Sequence, residues 1–479
     1  MTSKKNNLSK FGFFAMTASL FITVYEYPTF ADNGKTLIFF LLLCGFCWFL
    51  PVALCSAELA TVKGYQEGGI YSWVGKNLGS KFGFSALFFQ WFQITVGFVT
   101  MIYFIIGTLS DVFKIPSLNE NLWVKFLSVL IIFWILTFLQ LKGTETTEKI
   151  AKYGFSIGII VPVLIMFVLA IKYLLEGNPV STNFTKSSFL PNKAHFSALV
   201  SFVLAYMGVE ASATHIMSLE NPKKNYPMIM LILVFVGIIL STIGGSVVSM
   251  VLKGDISANT GVVDAFKVLL PDSSFIVIVL GVLISFGVMA QVSSWIVSPT
   301  EGLQYAATKG LLPKIFEKKN SSDVPVPLLI VQGIIVSLWA AVLTFGSGNS
   351  GGNIAFQTAI SLTVVIYLCA YLLFFLSYFV LIYKKQDLKR DYQVPGGLMV
   401  KTLFAGIGFI VSVAAIATAF IKPSSMSASD GKTYLLTLSI SLIVTISIPL
   451  LMFQFYGKKH QKIEGDNNEN DERRVKKII

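Results

Sequence analysis

Long apolar runs separated by short polar stretches fill the chain from about residue 10 to residue 456. A helix needs ~20 consecutive apolar residues to cross a bilayer. Twelve runs fit that length: 10–31, 36–60, 83–110, 123–141, 150–175, 195–217, 226–250, 273–308, 326–345, 353–383, 401–421 and 433–456. The pattern predicts an all-α polytopic membrane protein with 12 transmembrane helices. A polar segment, 1–9, precedes them, and a mixed-charge tail, 457–479, follows.

Two runs carry acids. The sixth contains AYMGVEASATH, residues 205–215, with Glu210 and His215 inside the apolar stretch. An acid at the centre of a membrane helix costs about 2.5–3.5 kcal/mol on insertion scales, so such groups face a cavity or a partner. Gly208 and the small residues 211–214 weaken the helix beside the charge. The first run ends in VYEYPTF, residues 24–30, where Glu26 stands between Tyr25 and Tyr27 and before Pro28. Proline disfavours helix at the residue before it, which places an interruption there. Glu26 is either a second intramembrane acid or a solvated group near the outer surface.

Irregular backbone at membrane depth is tolerated where protein covers it or it lines a cavity. Runs 1 and 6 lie five crossings apart, and an odd offset inverts one half relative to the other. Interrupted helices at matching places in two halves point to a transporter site. The expected architecture is a 5+5 inverted-repeat transport core over 10–383, with broken helices 1 and 6. Two extra helices, 11 and 12, lie within 384–456.

Other polar groups recur at helical spacing. Gln291 and Trp295 share a face of run 8, beside a row formed by Ser294 and Ser298. Tyr367 and Tyr371 share a face of run 10, and their hydroxyls need partners, from a ligand or a neighbouring helix. After run 2, AELAT (57–61) leads into EGGIYSW (67–73). Gly68 and Gly69 there permit a tight turn, and an amphipathic piece sets Tyr71 and Trp73 at headgroup level. His195 falls near an outer loop and His460 in the tail.

Composition agrees with a membrane protein. The 479 residues are 54% hydrophobic and 13% charged, against about 25% charged in soluble chains. The net charge of +12 does not point to nucleic acid, because the basic residues cluster in alternate loops. With a cytoplasmic N-terminus, about 27 of the 37 Lys and Arg fall on the cytoplasmic side, which is the positive-inside asymmetry. An even number of crossings then makes both termini cytoplasmic. Cys44, Cys47, Cys55 and Cys369 all lie in apolar runs, where they read as small packing residues. The first run has no cleavage site and is expected to stay as a helix. No phosphate-binding loop, HExxH metal site or GxSxG nucleophile elbow occurs, so nothing implies a cofactor, a metal or an enzyme.

The AELAT…EGGIYSW stretch resembles the amino acid–polyamine–organocation superfamily. VYEYPTF (24–30), AYMGVEASATH (205–215), SSWIVSP (293–299) and TVVIYLCAY (363–371) resemble its branch of bacterial glutamate:γ-aminobutyrate antiporters. The resemblance implies ten core helices in two inverted halves plus two more. It implies exchange of external glutamate for cytoplasmic γ-aminobutyrate across the inner or plasma membrane, serving acid resistance beside a cytoplasmic glutamate decarboxylase. It also implies substrate contacts at Tyr25, Glu210, Trp295, Tyr367 and Tyr371. Where this chain has Gln291 the family has an acid, which bears on substrate preference and pH profile. The helix breaks themselves, at Glu26 and Gly208, offer backbone N–H and C=O groups to the α-carboxylate and ammonium of an amino acid. Glu210 and His215 are the candidates for coupling pH to transport.

Overall fold

The computed structural model describes residues 9–181, 191, 193–346, 352–423 and 426–457. The tail beyond 457, His460 in it, and the side chain of His195 lie outside the described residues. The chain forms α1 (Lys10–Phe21), α2 (Tyr27–Asp32), α3 (Gly34–Thr61), α4 (Ile70–Leu78), α5 (Ser80–Val112), α6 (Leu122–Gln140) and α7 (Glu145–Leu175). It continues with α8 (Leu199–Leu204), α9 (Pro222–Val251), α10 (Gly261–Leu269), α11 (Ser274–Thr308) and α12 (Val326–Phe345). The last helices are α13 (Gly352–Lys384), α14 (Gly397–Ala419) and α15 (Ala428–Tyr456). The one strand-like pairing among the described residues is an isolated bridge, Val62 with Arg390.

Eleven segments among the described residues are long and apolar enough to cross a membrane. Run 10–31 is not among them because a break divides it. α1 stops at Phe21, Ile22 is extended (ψ 98°), Thr23 is also non-helical (ψ 74°), and a 3-10 turn over Val24–Glu26 leads into α2. The break therefore precedes Pro28 instead of lying at it. Pro28 opens α2, where its missing N–H costs nothing. The sixth crossing is also interrupted. α8 gives way to a turn, Gly208 takes φ +108°, and Val209–Ser218 continues as 3-10 helix.

Burial sorts the helices. In its most apolar window α5 is 94% buried, whereas α6 and α14 are 28% and α15 is 17% buried. α5 thus runs through the centre, and α6, α14 and α15 form an apolar rim. Two prolines shape the long helices further. Pro51 and Pro162 each follow a π-helical turn, Gly45–Phe49 and Gly154–Ile160. A proline cannot donate to the carbonyl four residues back, and the wider turn absorbs that gap.

The turn after α3 is as tight as its glycines allow, with Gly68 at φ +80° and Gly69 at +52°. Trp73 corrects the interfacial expectation. It is buried, and its indole N–H donates to the Tyr65 carbonyl at 3.1 Å, so it packs inside the protein and not at headgroup level. Tyr71 is half-buried and packs edge-on against Tyr305.

α7 and α11 meet backbone to backbone through Gly154 and Gly158, four apart, against Ala290 and Gly287. Small residues let membrane helices approach this closely. A Cβ on Gly158 would stand 2.5 Å from Gly287. Gly158→Val should destabilise the fold by about 1–3 kcal/mol through overpacking. The check is a lower melting temperature for the purified protein than for Ala170→Gly, a change at a buried α7 position that introduces no such clash.

Candidate functional site

The two interruptions touch the same side chain. Trp295 on α11 donates its indole N–H to the Leu20 carbonyl at 2.7 Å. Leu20 lies in the last turn of α1, where the break leaves carbonyls without helical partners. The same ring lies against Gly208, since a Cβ there would come within 2.5 Å of it. Glycine is thus required at 208 twice, for its left-handed φ and for the indole.

The second break is held from the other side. The Gly208 N–H donates to the Tyr371 hydroxyl at 2.9 Å. Tyr371 donates onward to one oxygen of Glu210, and Tyr367 donates to the other oxygen. The Gln90 amide on α5 adds a third bond to Glu210 at 3.1 Å and also reaches the Tyr367 hydroxyl at 3.3 Å. Glu210 is 1% exposed. A carboxylate buried so deeply is tolerable because each oxygen accepts from a donor held by packed helices. Tyr367 and Tyr371 therefore bond a neighbouring element, one of the alternatives that their spacing left open.

Beside this cluster is a cavity of about 20 Å3, room for roughly one water. Thr23, Tyr25, Gln93, Met207, Trp295 and Tyr367 are among its walls. It is too small for an amino acid, so a ligand can be admitted only if the walls separate. Thr23 and Thr363, which also lines it, have buried hydroxyls without a hydrogen-bond partner. Buried hydroxyls are ordinarily paired, and these two are exceptions on the cavity wall.

The remaining residues singled out in the sequence divide. Glu26 is fully buried, which removes the solvated alternative, and neither oxygen has a partner at normal geometry. Gln291 is buried one turn from Trp295 and is not part of the cavity wall, and its amide is likewise unpartnered. His215 turns to α11 and meets Ser298 at 3.2 Å and Glu301 at 3.2 Å. Ser294 bonds Ser19 of α1 at 2.9 Å, a packing contact. Gln90 and Gln93 went unnoticed in the sequence, although two amides within an otherwise apolar run, FFQWFQ, carry the same signal that marked Glu210.

Among the described residues no group of three His, Cys, Asp or Glu side chains could hold a metal, and the four cysteines are free.

Comparison with known proteins bears on identity. The family model described as amino acid permease matches residues 8–447. The glutamate/gamma-aminobutyrate antiporter of Lactococcus lactis subsp. lactis (strain IL1403) is 53% identical over 473 residues, covering 97% of this chain and 93% of its own. An uncharacterized transporter of Legionella pneumophila is 30% identical over 470 residues, 96% of this chain and 99% of its own. A probable agmatine/putrescine antiporter of Lactococcus lactis is 23% identical over 419 residues, 85% and 87% of the two chains. With a family model over most of its length and relatives aligned nearly end to end, this multi-pass helical membrane protein belongs to the amino acid permease family of the amino acid–polyamine–organocation superfamily, as a transporter and not an enzyme.

Proposed function

We propose that the protein is an alternating-access antiporter that exchanges external glutamate for internal γ-aminobutyrate. The observation that carries this reading is one indole, Trp295, closing two helix breaks over a small cavity whose largely apolar wall carries a few polar groups. The 53% identity to a glutamate/gamma-aminobutyrate antiporter supports the choice of substrates.

The breaks explain the class of ligand. Free N–H groups at half-helix N-termini suit an α-carboxylate, and free carbonyls at the C-terminal end of α1 suit an ammonium. When the cavity widens, Trp295 leaves the Leu20 carbonyl and that oxygen becomes available to the ligand. Tyr25, Trp295 and Tyr367 then face the substrate directly, with Thr23 and Thr363 supplying unpaired hydroxyls. Glu210 acts through Tyr367, which both lines the cavity and bonds the carboxylate. Protonating Glu210 would remove an acceptor and free a tyrosine hydroxyl for the ligand. Gly208, Tyr371 and Glu26 shape the breaks. Gln291 and His215 stand behind the wall and adjust it at a distance.

In this reading the first, interrupted segment and the eleven long helices make twelve crossings. They form a 5+5 inverted-repeat core over 10–383 and two extra helices within 384–456. The lysine-rich loops put both termini, 1–9 and 457–479, in the cytoplasm. The glutamate side chain, with pKa about 4.3, grows neutral in acid. Neutral glutamate entering against cationic γ-aminobutyrate leaving exports one positive charge per cycle. A cytoplasmic glutamate decarboxylase would complete the removal of a proton. Gln291, where the family has an acid, favours a second reading in which another amino acid is exchanged.

Counterflow in liposomes separates these. Labelled glutamate should enter only vesicles preloaded with γ-aminobutyrate, and faster as external pH falls. Uptake of a different amino acid would favour the second reading, and binding without any flux would point to a transporter-like sensor.

Two variants probe the site. Glu210→Gln should cut exchange at least about tenfold, and normal transport at every pH would take Glu210 out of the mechanism. Trp295→Phe keeps the ring and loses the bond to Leu20. It should lower exchange about tenfold and also lower the melting temperature, because it leaves a buried carbonyl unpaired at a cost of about 1–3 kcal/mol.

A further inference from the structure

Glu58, in the AELAT stretch, takes no part in the cavity described above. It is fully buried near the end of α3. One oxygen accepts from Arg390 and from Lys401, each at 2.8 Å. The other accepts from the Tyr378 hydroxyl at 2.9 Å and the Val394 N–H at 2.8 Å. Two buried cations thus share one carboxylate, with side chains only 5% and 8% exposed. The cluster keeps one positive charge in excess.

That excess borders a pocket of about 310 Å3 between the end of α13, the following loop and the start of α14. Arg390 and Lys401 line it, with Gln386, Gln393, Gly397 and Leu398. Three features of this wall attract an anion. The Arg390 Nε is buried without a partner, although its other nitrogens bond Glu58 and the Gln386 carbonyl. The N-terminus of α14 opens onto the pocket at Gly397 and Leu398, and Gly396 offers no side chain to cap it. A 23-residue helix presents free N–H groups and a positive dipole end there. Lys401 contributes the third positive group and bonds Gln393 at 3.0 Å.

We propose that this pocket binds a phosphate-bearing anion. An oxyanion fits the donor set, because a guanidinium N–H, an ammonium and helix N–H groups converge and a single negative charge would balance the cluster. The phosphate can come from a phospholipid headgroup or from free solution. The neighbouring surface bears on the lipid source, since Leu398, Met399 and Leu403 on α14 are exposed apolar side chains beside the pocket.

The test uses the purified full-length protein and thermal unfolding. Inorganic phosphate is titrated at constant ionic strength against chloride. In parallel, short-chain phosphatidylglycerol is compared with the matching diacylglycerol. A saturable rise in melting temperature of about 2 °C or more is expected from at least one phosphate source. A rise with phosphatidylglycerol alone assigns a lipid, and a rise with inorganic phosphate alone assigns a soluble anion. Leu398→Glu places a carboxylate at the mouth without touching the Glu58 contacts and should weaken the response at least tenfold. Arg390→Lys keeps the charge beside Glu58, lacks Nε, and should do the same. Absence of any rise, or an undiminished rise in Leu398→Glu, would overturn the proposal. Neither readout depends on transport.

Discussion

Hydrocarbon offers no hydrogen bonds, so every peptide group that a break exposes must find a partner inside the protein. Here the demand falls on few side chains. The Trp295 indole takes a carbonyl at the end of α1, and the Tyr371 hydroxyl takes the N–H of Gly208. Tyr371 is in turn bound to Glu210, so the break, the tyrosine pair and the acid form one connected network. Its members come from α5, α13 and the sixth crossing, and the Trp295 bond joins α11 to α1 beside it. Loss of any one leaves a buried polar group unpaired, and such groups cost about 1–3 kcal/mol each. The network therefore ties α5, α13 and the sixth crossing together.

The same bonds are suited to being exchanged. Each partner of a break is a side chain, and a side chain can release one acceptor and take another without refolding a helix. A ligand with a carboxylate and an ammonium offers both kinds of replacement. This is why a cavity with room for about one water can belong to a transporter. Polar groups on its wall already have partners, Trp295 in the Leu20 carbonyl and Tyr367 in Glu210, whereas the hydroxyls of Thr23 and Thr363 do not.

Much of this was legible in the sequence because membrane depth makes rare residues conspicuous. Eleven of the apolar runs coincide within about five residues with long apolar helices among the described residues, and Glu210 with Gly208 marked the sixth break. The place of the first break was not legible. Pro28 is the visible breaker, yet proline is at home in the first turn of a helix, and the chain opens earlier at Ile22 and Thr23, which carry no warning beyond β-branching. Trp73 misled for a related reason. A tryptophan beside a turn suits an interface or a core equally, and only the Tyr65 carbonyl decides between them. Gln90 was overlooked because a neutral amide in an aromatic run draws less notice than an acid, although its bond to Glu210 has the same physical basis.

The Glu58 cluster constrains how the helices could move in the proposed alternating access. It ties the end of α3, the second crossing, to Tyr378 on α13 and Lys401 on α14. Backbone contacts reinforce it, with Lys63 donating to the Lys389 carbonyl at 3.0 Å and Val62 bridged to Arg390. Sliding α3 past α13 and α14 at this level would strand a buried carboxylate and two cations, a loss of about 3–5 kcal/mol when a buried pair is broken. A motion that pivots about this point would avoid that loss.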